Sequence, residues 1–219
     1  MAARPDPWTP APREEGFRLL FVCTANICRS PIAERYARAA LGAGSPVVVE
    51  SAGVRAVPGR PMAPGAARVL EKMGADPSGF AARRLTSRML EEADLVLTAT
   101  TAHRGSVVQE CPRISRRVFT ITEFGALTGA VLTRPRSAAD LAREGDPVRR
   151  AHVLLAQARA LRGLVPVDEP DVPDPYGRWA RAYRSAARRI AEGLSAPLET
   201  LTAVAAPASA GGRGTSSGW

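Results

Sequence analysis

The sequence predicts an α/β domain over residues 17–203, a parallel sheet covered by helices on both faces. Short apolar runs alternate with helix-patterned stretches along the chain, the order expected of repeated β-α-β units. The runs are largely apolar, which suits strands buried on both faces. With 45% hydrophobic and 23% charged residues, the 219-residue chain is long enough for one domain with a sizeable core.

The first strand candidate is FRLLFVC (17–23). A helix follows from Ser30 (SPIAERYARAAL), with Pro31 just inside a cap-type serine and Glu34 in its first turns. PVVVES (46–51) is the second strand, APGAARVLEKMG (63–74) a helix stopped by Gly74, and TSRMLEEA (86–93) a short helix. That helix leads into DLVLTAT (94–100), the third strand, then a helix over 101–111 and a strand RVFTI (117–121). VRRAHVLLAQARALRG (148–163) and GRWARAYRSAARRIAEGL (177–194) carry apolar stripes near 3.6-residue spacing and read as helices. Residues 1–16 are Pro-rich and polar, and 204–219 are small and Gly/Ser-rich, so a flexible N-terminus and a disordered tail are expected.

Composition excludes several classes. No apolar run approaches the ~20 residues of a membrane-spanning helix, and residues 1–16 hold no secretory-type apolar segment, so no membrane association is expected. Three cysteines, Cys23, Cys28 and Cys111, cannot staple a secreted scaffold and suit a reducing, cytoplasmic setting. The cations are 29 arginines and one lysine, Lys72, and no Gly-rich loop ends in lysine, which excludes a Walker-type nucleotide site. Two histidines without C-x-x-C or H-E-x-x-H argue against zinc, and no metal is expected. The net charge of +9 raises nucleic-acid binding, yet the arginines are spread over the chain without an aromatic platform. A cationic surface that steers anions, with no nucleic-acid partner, is the expectation. His103, His152 and Cys111 read as structural or surface positions.

Residues 22–31, VCTANICRSP, carry the sharpest chemistry. A cysteine ends a strand, five residues intervene, and Arg-Ser opens a helix. A loop wrapped there turns backbone N–H groups inward beside the positive end of a helix, which binds a tetrahedral oxyanion and favours negative charge on sulfur. Cys23 is then a nucleophile, Arg29 a fork for phosphoryl oxygens, and Ser30 a hydrogen-bond donor to the sulfur. Near the other end, DVPDPYG (171–177) presents Asp174 on a Pro-rich loop ahead of a long helix. A carboxylic acid there could protonate a departing phenolate and then activate water.

Together CTANICRSP and DPYG resemble the low-molecular-weight protein tyrosine phosphatases, over roughly residues 17–200. The resemblance implies a flavodoxin-like fold of three α/β/α layers around a four-stranded parallel sheet, with a phosphate loop of Thr24, Ala25, Asn26, Ile27, Cys28 and Arg29 after the first strand. It implies Cys23 as nucleophile, Arg29 as phosphoryl binder and Asp174 as general acid, without metal or organic cofactor. Asn26 matches the family's loop-organising asparagine, Ser51 the serine that braces it, and Tyr176 the aromatic wall of the substrate cleft. Cys28 matches a second cysteine that can trap Cys23 as a reversible disulfide. The implied partner is a phosphotyrosine-containing protein, met by a monomer.

Three features depart from the family pattern. Ala25 stands where glycine is usual, Phe80 where histidine is frequent, and residues 126–167 add an Arg-rich helical insertion. Bacterial relatives that act on phosphoarginine carry threonine at the position of Ile27. Ile27 therefore either offers an apolar face to an aryl ring or packs the loop against the core. An arsenate reductase using an external thiol, and a catalytically weak phosphate-binding or interaction protein, remain as competing functions. The thioredoxin-coupled form of the first needs two further neighbouring cysteines downstream, and only Cys111 is there.

Overall fold

In the computed structural model, which describes residues 16–203, the strands sort their side chains by parity. Strand β1 (Phe17–Cys23) sends Phe17, Leu19 and Phe21 into one core and Leu20 and Val22 into another. Strands β2 (Val47–Gly53), β3 (Leu95–Thr98) and β4 (Val118–Thr120) divide in the same way. Val47, Val49, Leu95, Leu97 and Phe119 join the first core, and Ala52, Val96 and Val118 the second. Apolar groups at successive positions thus serve two layers of helices rather than one layer and solvent.

The four strands are parallel and ordered β2-β1-β3-β4. The first core is closed by α1 (Arg29–Leu41), α2 (Pro64–Lys72), α5 (Ile121–Leu132), α7 (Pro147–Leu161) and α8 (Ala180–Thr202). The second is closed by α3 (Ser87–Glu92), α4 (Thr101–Glu110) and a 3-10 turn, Pro112–Arg117. The result is the three-layer α/β/α, flavodoxin-like arrangement. In such an order the chain reverses direction across the sheet between β1 and β3, and the crevice beyond their carboxyl ends is where ligands bind.

Several boundaries differ from expectation for local reasons. The second strand runs two residues beyond 51, through Gly53, because its pairing with β1 continues to Cys23. The fourth stops at Thr120, not 121, since Thr120 caps α5. Its hydroxyl accepts from the Glu123 N–H at 3.0 Å while the Glu123 carboxylate accepts from the Thr120 N–H at 3.1 Å, a reciprocal capping box. The last helix starts at Ala180 rather than 177 and continues to Thr202.

Helix α5 spans residue 126, where the expected insertion begins. Its Gly125 lies against Gly193 of α8, where an added Cβ would come 2.3 Å from the Gly193 carbonyl oxygen. Pro197, four residues on in α8, lacks the N–H that would bond that carbonyl. Beyond α5, α6 (Pro135–Arg143) and α7 are helical as expected, and Leu154, Leu155, Ala158 and Leu161 of α7 enter the core. At the amino end, Gly16 is buried against Pro46, so the expected flexible end stops short of it. The expectations for 1–15 and 204–219 lie outside the described residues.

Candidate active site

The loop between β1 and α1 is wound around one strained residue. Asn26, at φ +53°, is the one non-glycine residue with positive φ among those described, and asparagine tolerates that region better than most. Ala25 does not adopt it, so alanine in place of the family's usual glycine carries no left-handed strain. Fully buried Asn26 uses its whole amide: Nδ2 donates to Ser30 Oγ at 2.9 Å and Ser51 Oγ at 2.8 Å, while Oδ1 accepts the Arg83 N–H at 2.8 Å.

Ser51 in turn donates to Glu34, whose 3%-exposed carboxylate lies 3.3 Å from the Arg38 guanidinium. Ser30, accepting from Asn26, lies 2.9 Å from Cys23 Sγ and 3.4 Å from the Ala52 carbonyl, and the sulfur is the nearer acceptor for its proton. Gly53 permits the loop to lie this close to β2, because a Cβ there would meet the Thr24 carbonyl oxygen at 2.6 Å. No acceptor among the described residues takes the backbone N–H groups of Ala25, Asn26, Ile27 or Cys28.

A pocket of about 170 Å³ opens over this loop, lined by Cys23, Ile27, Arg29, Arg60, Asp174 and Tyr176, with Thr24, Ala25 and Cys28 completing it. Arg29 is 5% exposed. It donates to the Val172 carbonyl at 3.2 Å and to the Asp174 carboxylate at 2.9 Å, and its Nε has no partner. A buried guanidinium N–H without an acceptor is costly, and a phosphoryl oxygen would satisfy it. Tyr176 is half exposed at the rim. Ile27 is 4% exposed and belongs to the first core, so it both packs the loop and contributes to the pocket wall.

The loop that carries Asp174 is anchored upstream. The Thr101 N–H at the start of α4 donates to Asp171 at 2.8 Å, the Val172 N–H donates to the Ala99 carbonyl at 2.8 Å, and Thr122 donates to the Pro170 carbonyl. Asp174 itself accepts the Tyr176 N–H at 3.2 Å.

His103, read as a structural or surface position, is structural and braces the loop. It is buried, with Nε2 2.8 Å from the Thr24 hydroxyl in the loop and Nδ1 2.7 Å from Thr100 Oγ1. Burial, and next the Arg29 charge, push its pKa down to about 4, so it is neutral at pH 7. Burial, followed by the neighbouring Cys23 and Asp174, pushes the Cys28 thiol up to about 12. Phe80 packs against the core with the Arg35 guanidinium 5.7 Å from its ring, and the Arg83 N–H holds Asn26. Glu34, Arg83, Asp171 and His103 are the site residues that sequence reasoning missed. Only Glu34 had a local signal, one helical turn after Ser30.

The comparisons with known proteins point to one family. Residues 18–133 match the family described as low molecular weight phosphotyrosine protein phosphatase; the Asp174 loop lies beyond that match. The probable low molecular weight protein-tyrosine-phosphatase EpsP of Ralstonia solanacearum is 37% identical over 106 residues, 48% of this chain and 71% of that protein. The protein-arginine-phosphatase of Bacillus subtilis (strain 168) is 39% identical over 108 residues, again 48% and 71%. A solved structure of the low molecular weight protein tyrosine phosphatase from T. tengcongensis superposes with a TM-score of 0.62 at 31% identity, covering 84% of this chain and 99% of that one.

Proposed function

The chain belongs to the low molecular weight phosphotyrosine protein phosphatase family, and from that premise we propose that it hydrolyses protein phosphotyrosine through a phosphocysteine. One observation carries the reading: Cys23, Arg29 and Asp174 line one small pocket, and Arg29 Nε lacks a partner there. Cys23 Sγ attacks phosphorus in line with the tyrosyl oxygen. The loop N–H groups and Arg29 bind the three remaining oxygens, and Ser30 donates to the sulfur.

As the P–O bond breaks, Asp174 gives its proton to the phenolate, whose conjugate acid has a pKa of ~10. The Asp174 carboxylate then takes a proton from water. That water attacks the phosphocysteine, releasing inorganic phosphate and restoring the thiolate. No step calls for a metal or organic cofactor. His103 serves as a positioning residue, holding Thr24 at the edge of the loop.

Phosphotyrosine is preferred to phosphoarginine in this reading because Ile27 and Tyr176 give the pocket apolar walls. No hydroxyl at position 27 is available to accept from a phosphoguanidinium. We place the enzyme in a bacterial cytoplasm, acting as a monomer on phosphoproteins. In support, Cys23, Cys28 and Cys111 are all free thiols and no helix among the described residues is long and apolar enough to cross a membrane.

The test is turnover of para-nitrophenyl phosphate and a phosphotyrosine peptide by the wild type and Cys23→Ser, beside arsenate reduction with added thiols. Turnover lost in Cys23→Ser with vanadate binding retained is the expected result. Turnover surviving in that variant would end the covalent mechanism, and arsenate reduction without phosphatase activity would end the assignment.

A further inference from the structure

A second, larger cleft of about 770 Å³ lies beside the loop pocket and shares Thr24 and Arg29 with it. Its walls come from the chain just after β2 (Val54, Arg55), the chain before α3 (Arg84, Leu85) and the first turns of α4 (His103, Ser106). It is far larger than a phenyl phosphate requires.

Its charge is mainly positive, with Arg29, Arg55 and Arg84 lining it against one acid, Glu110. Arg55 and Arg84 are exposed and make no ion pair among the described residues. Arg60, at the mouth of the smaller pocket, is likewise exposed and unpaired. This sets them apart from Arg83, which pairs with Glu50, and from Arg104 and Arg162, which share Glu123. The one acid in the cleft, Glu110, already accepts from Ser87 at 2.6 Å. His103 spends both ring nitrogens on Thr24 and Thr100.

The three arginines are also held in place by their backbones. The Arg55 N–H donates to the Thr24 carbonyl at 2.8 Å, the Leu85 N–H to Gly53 at 2.9 Å, and the Ala82 N–H to Arg60 at 2.8 Å. Two chain segments are thereby fastened to each other and to the loop, which fixes where these arginines leave the main chain relative to Cys23.

We propose that this cleft is an anion-recognising subsite for the peptide that bears the phosphotyrosine, so that the enzyme selects phosphotyrosines flanked by acidic or further phosphorylated residues. The inference rests on the phosphatase reading given above. Carboxylates and a second phosphate share the chemistry that Arg55 and Arg84 recognise, an oxyanion within a few residues of the scissile group.

The experiment compares kcat/KM for three phosphotyrosine peptides of one sequence, flanked by Asp/Glu, by Asn/Gln, or by phosphoserine. An exposed arginine–carboxylate pair is worth roughly two- to fivefold. The wild type should therefore favour the Asp/Glu peptide over its neutral counterpart by about tenfold, with the phosphoserine arm showing whether the extra charge adds more. In Arg55→Ser/Arg84→Ser the ratio should fall to within about twofold, and in Arg84→Glu below the wild-type value. Because it is a ratio within one protein preparation, partial misfolding leaves it unmoved.

A wild-type ratio near one, or a ratio that persists in the double variant, overturns the subsite. Persistence would mean that the net charge of +9, and not the cleft, does the selecting. Wild-type failure to hydrolyse para-nitrophenyl phosphate would instead strike at the phosphatase reading, and the subsite would fall with it.

Discussion

Arg29 and Asp174 are ion-paired at 2.9 Å although one side chain is 6% exposed and the other 54%. The buried cation of the site is thus held by the residue that, in the proposed mechanism, must later give up a proton to the leaving group. A phosphoryl group entering the pocket competes with the Asp174 carboxylate for the same guanidinium. Binding of substrate thus frees the Asp174 carboxylate, which takes up a proton from solvent or from the incoming phosphoryl monoanion before it serves as the acid.

That competition makes Asp174→Asn a two-sided test. Turnover of phenyl phosphate should drop by ~10²–10⁴, the usual worth of a positioned acid, and less for esters whose leaving group is a weak base. Inhibition by inorganic phosphate should tighten, because Arg29 loses a charged competitor. Steady-state kinetics over a leaving-group series checks both. Equal losses across the series would make Asp174 a structural residue of its loop.

Peroxide should convert Cys23 to a sulfenic acid, and the Cys28 thiol can condense with it to a disulfide and water. The sequence alone suggested a ready trap. Burial, the main cause that raises the Cys28 thiol, persists once Cys23 is a neutral sulfenic acid, so its thiolate is scarce at pH 7 and the trap should close slowly there. Between pH 7 and 9 the rate of 23–28 bridge formation should rise about tenfold per unit. Mass spectrometry of quenched samples measures it, and a pH-independent rate contradicts the role of burial.

His103 ties stability to pH. Its folded pKa is about 4 against an ordinary 6.5, so between these values the unfolded chain binds more protons than the folded one. Its contribution is fully present above pH 6.5 and is lost as pH falls toward 4, by up to about 3 kcal/mol. Half-buried His152 is shifted down as well, by burial first, and acts with the same sign. Urea unfolding at pH 7, 5.5 and 4 should show the decline, and His103→Gln should flatten it in part. An undiminished slope in that variant would assign the effect to other groups.

For Ile27 the structure supports both of its readings, since it is buried in the core and also lines the pocket. Ile27→Thr should lower stability by about 1 kcal/mol through lost packing and a buried hydroxyl. It should also narrow the preference for phosphotyrosine over phosphoarginine by roughly ten- to a hundredfold if the hydroxyl meets a guanidinium N–H in the transition state. Parallel loss of both activities would leave only the packing role.

What the sequence made legible was local. Cys23, Arg29 and Ser30 belong to one loop and one helix start, and Asp174 to one Pro-rich turn, so spacing alone put them forward. Asn26 and Ser51 came from the family resemblance. His103 and Arg83 reach the loop only because β3 and the chain after α2 fold against β1, and nothing in their neighbourhoods signals that contact. Helix α5 was missed although T-x-x-E at 120–123 is a capping signature, because the β-branched run before it read as strand to residue 121. Pro197 disguised the length of α8, since a proline ordinarily argues for a helix end.

The Gly125–Gly193 crossing has a further consequence, for evolvability. It fastens α5 to α8, so residues 133–179 form a closed excursion between two helices already in contact. The entropy of closing such an excursion grows only with the logarithm of its length, by about 0.6 kcal/mol per doubling. A lineage could lengthen the exposed turns of this stretch at little thermodynamic cost, whereas α7, whose Leu154, Leu155, Ala158 and Leu161 fill the core, and the Asp174 loop would have to stay as they are. The constraint would fall on the two glycines that make the clamp, and Gly125→Ala should prove harder to tolerate than the insertion of a few polar residues into the turn at 144–146 between α6 and α7.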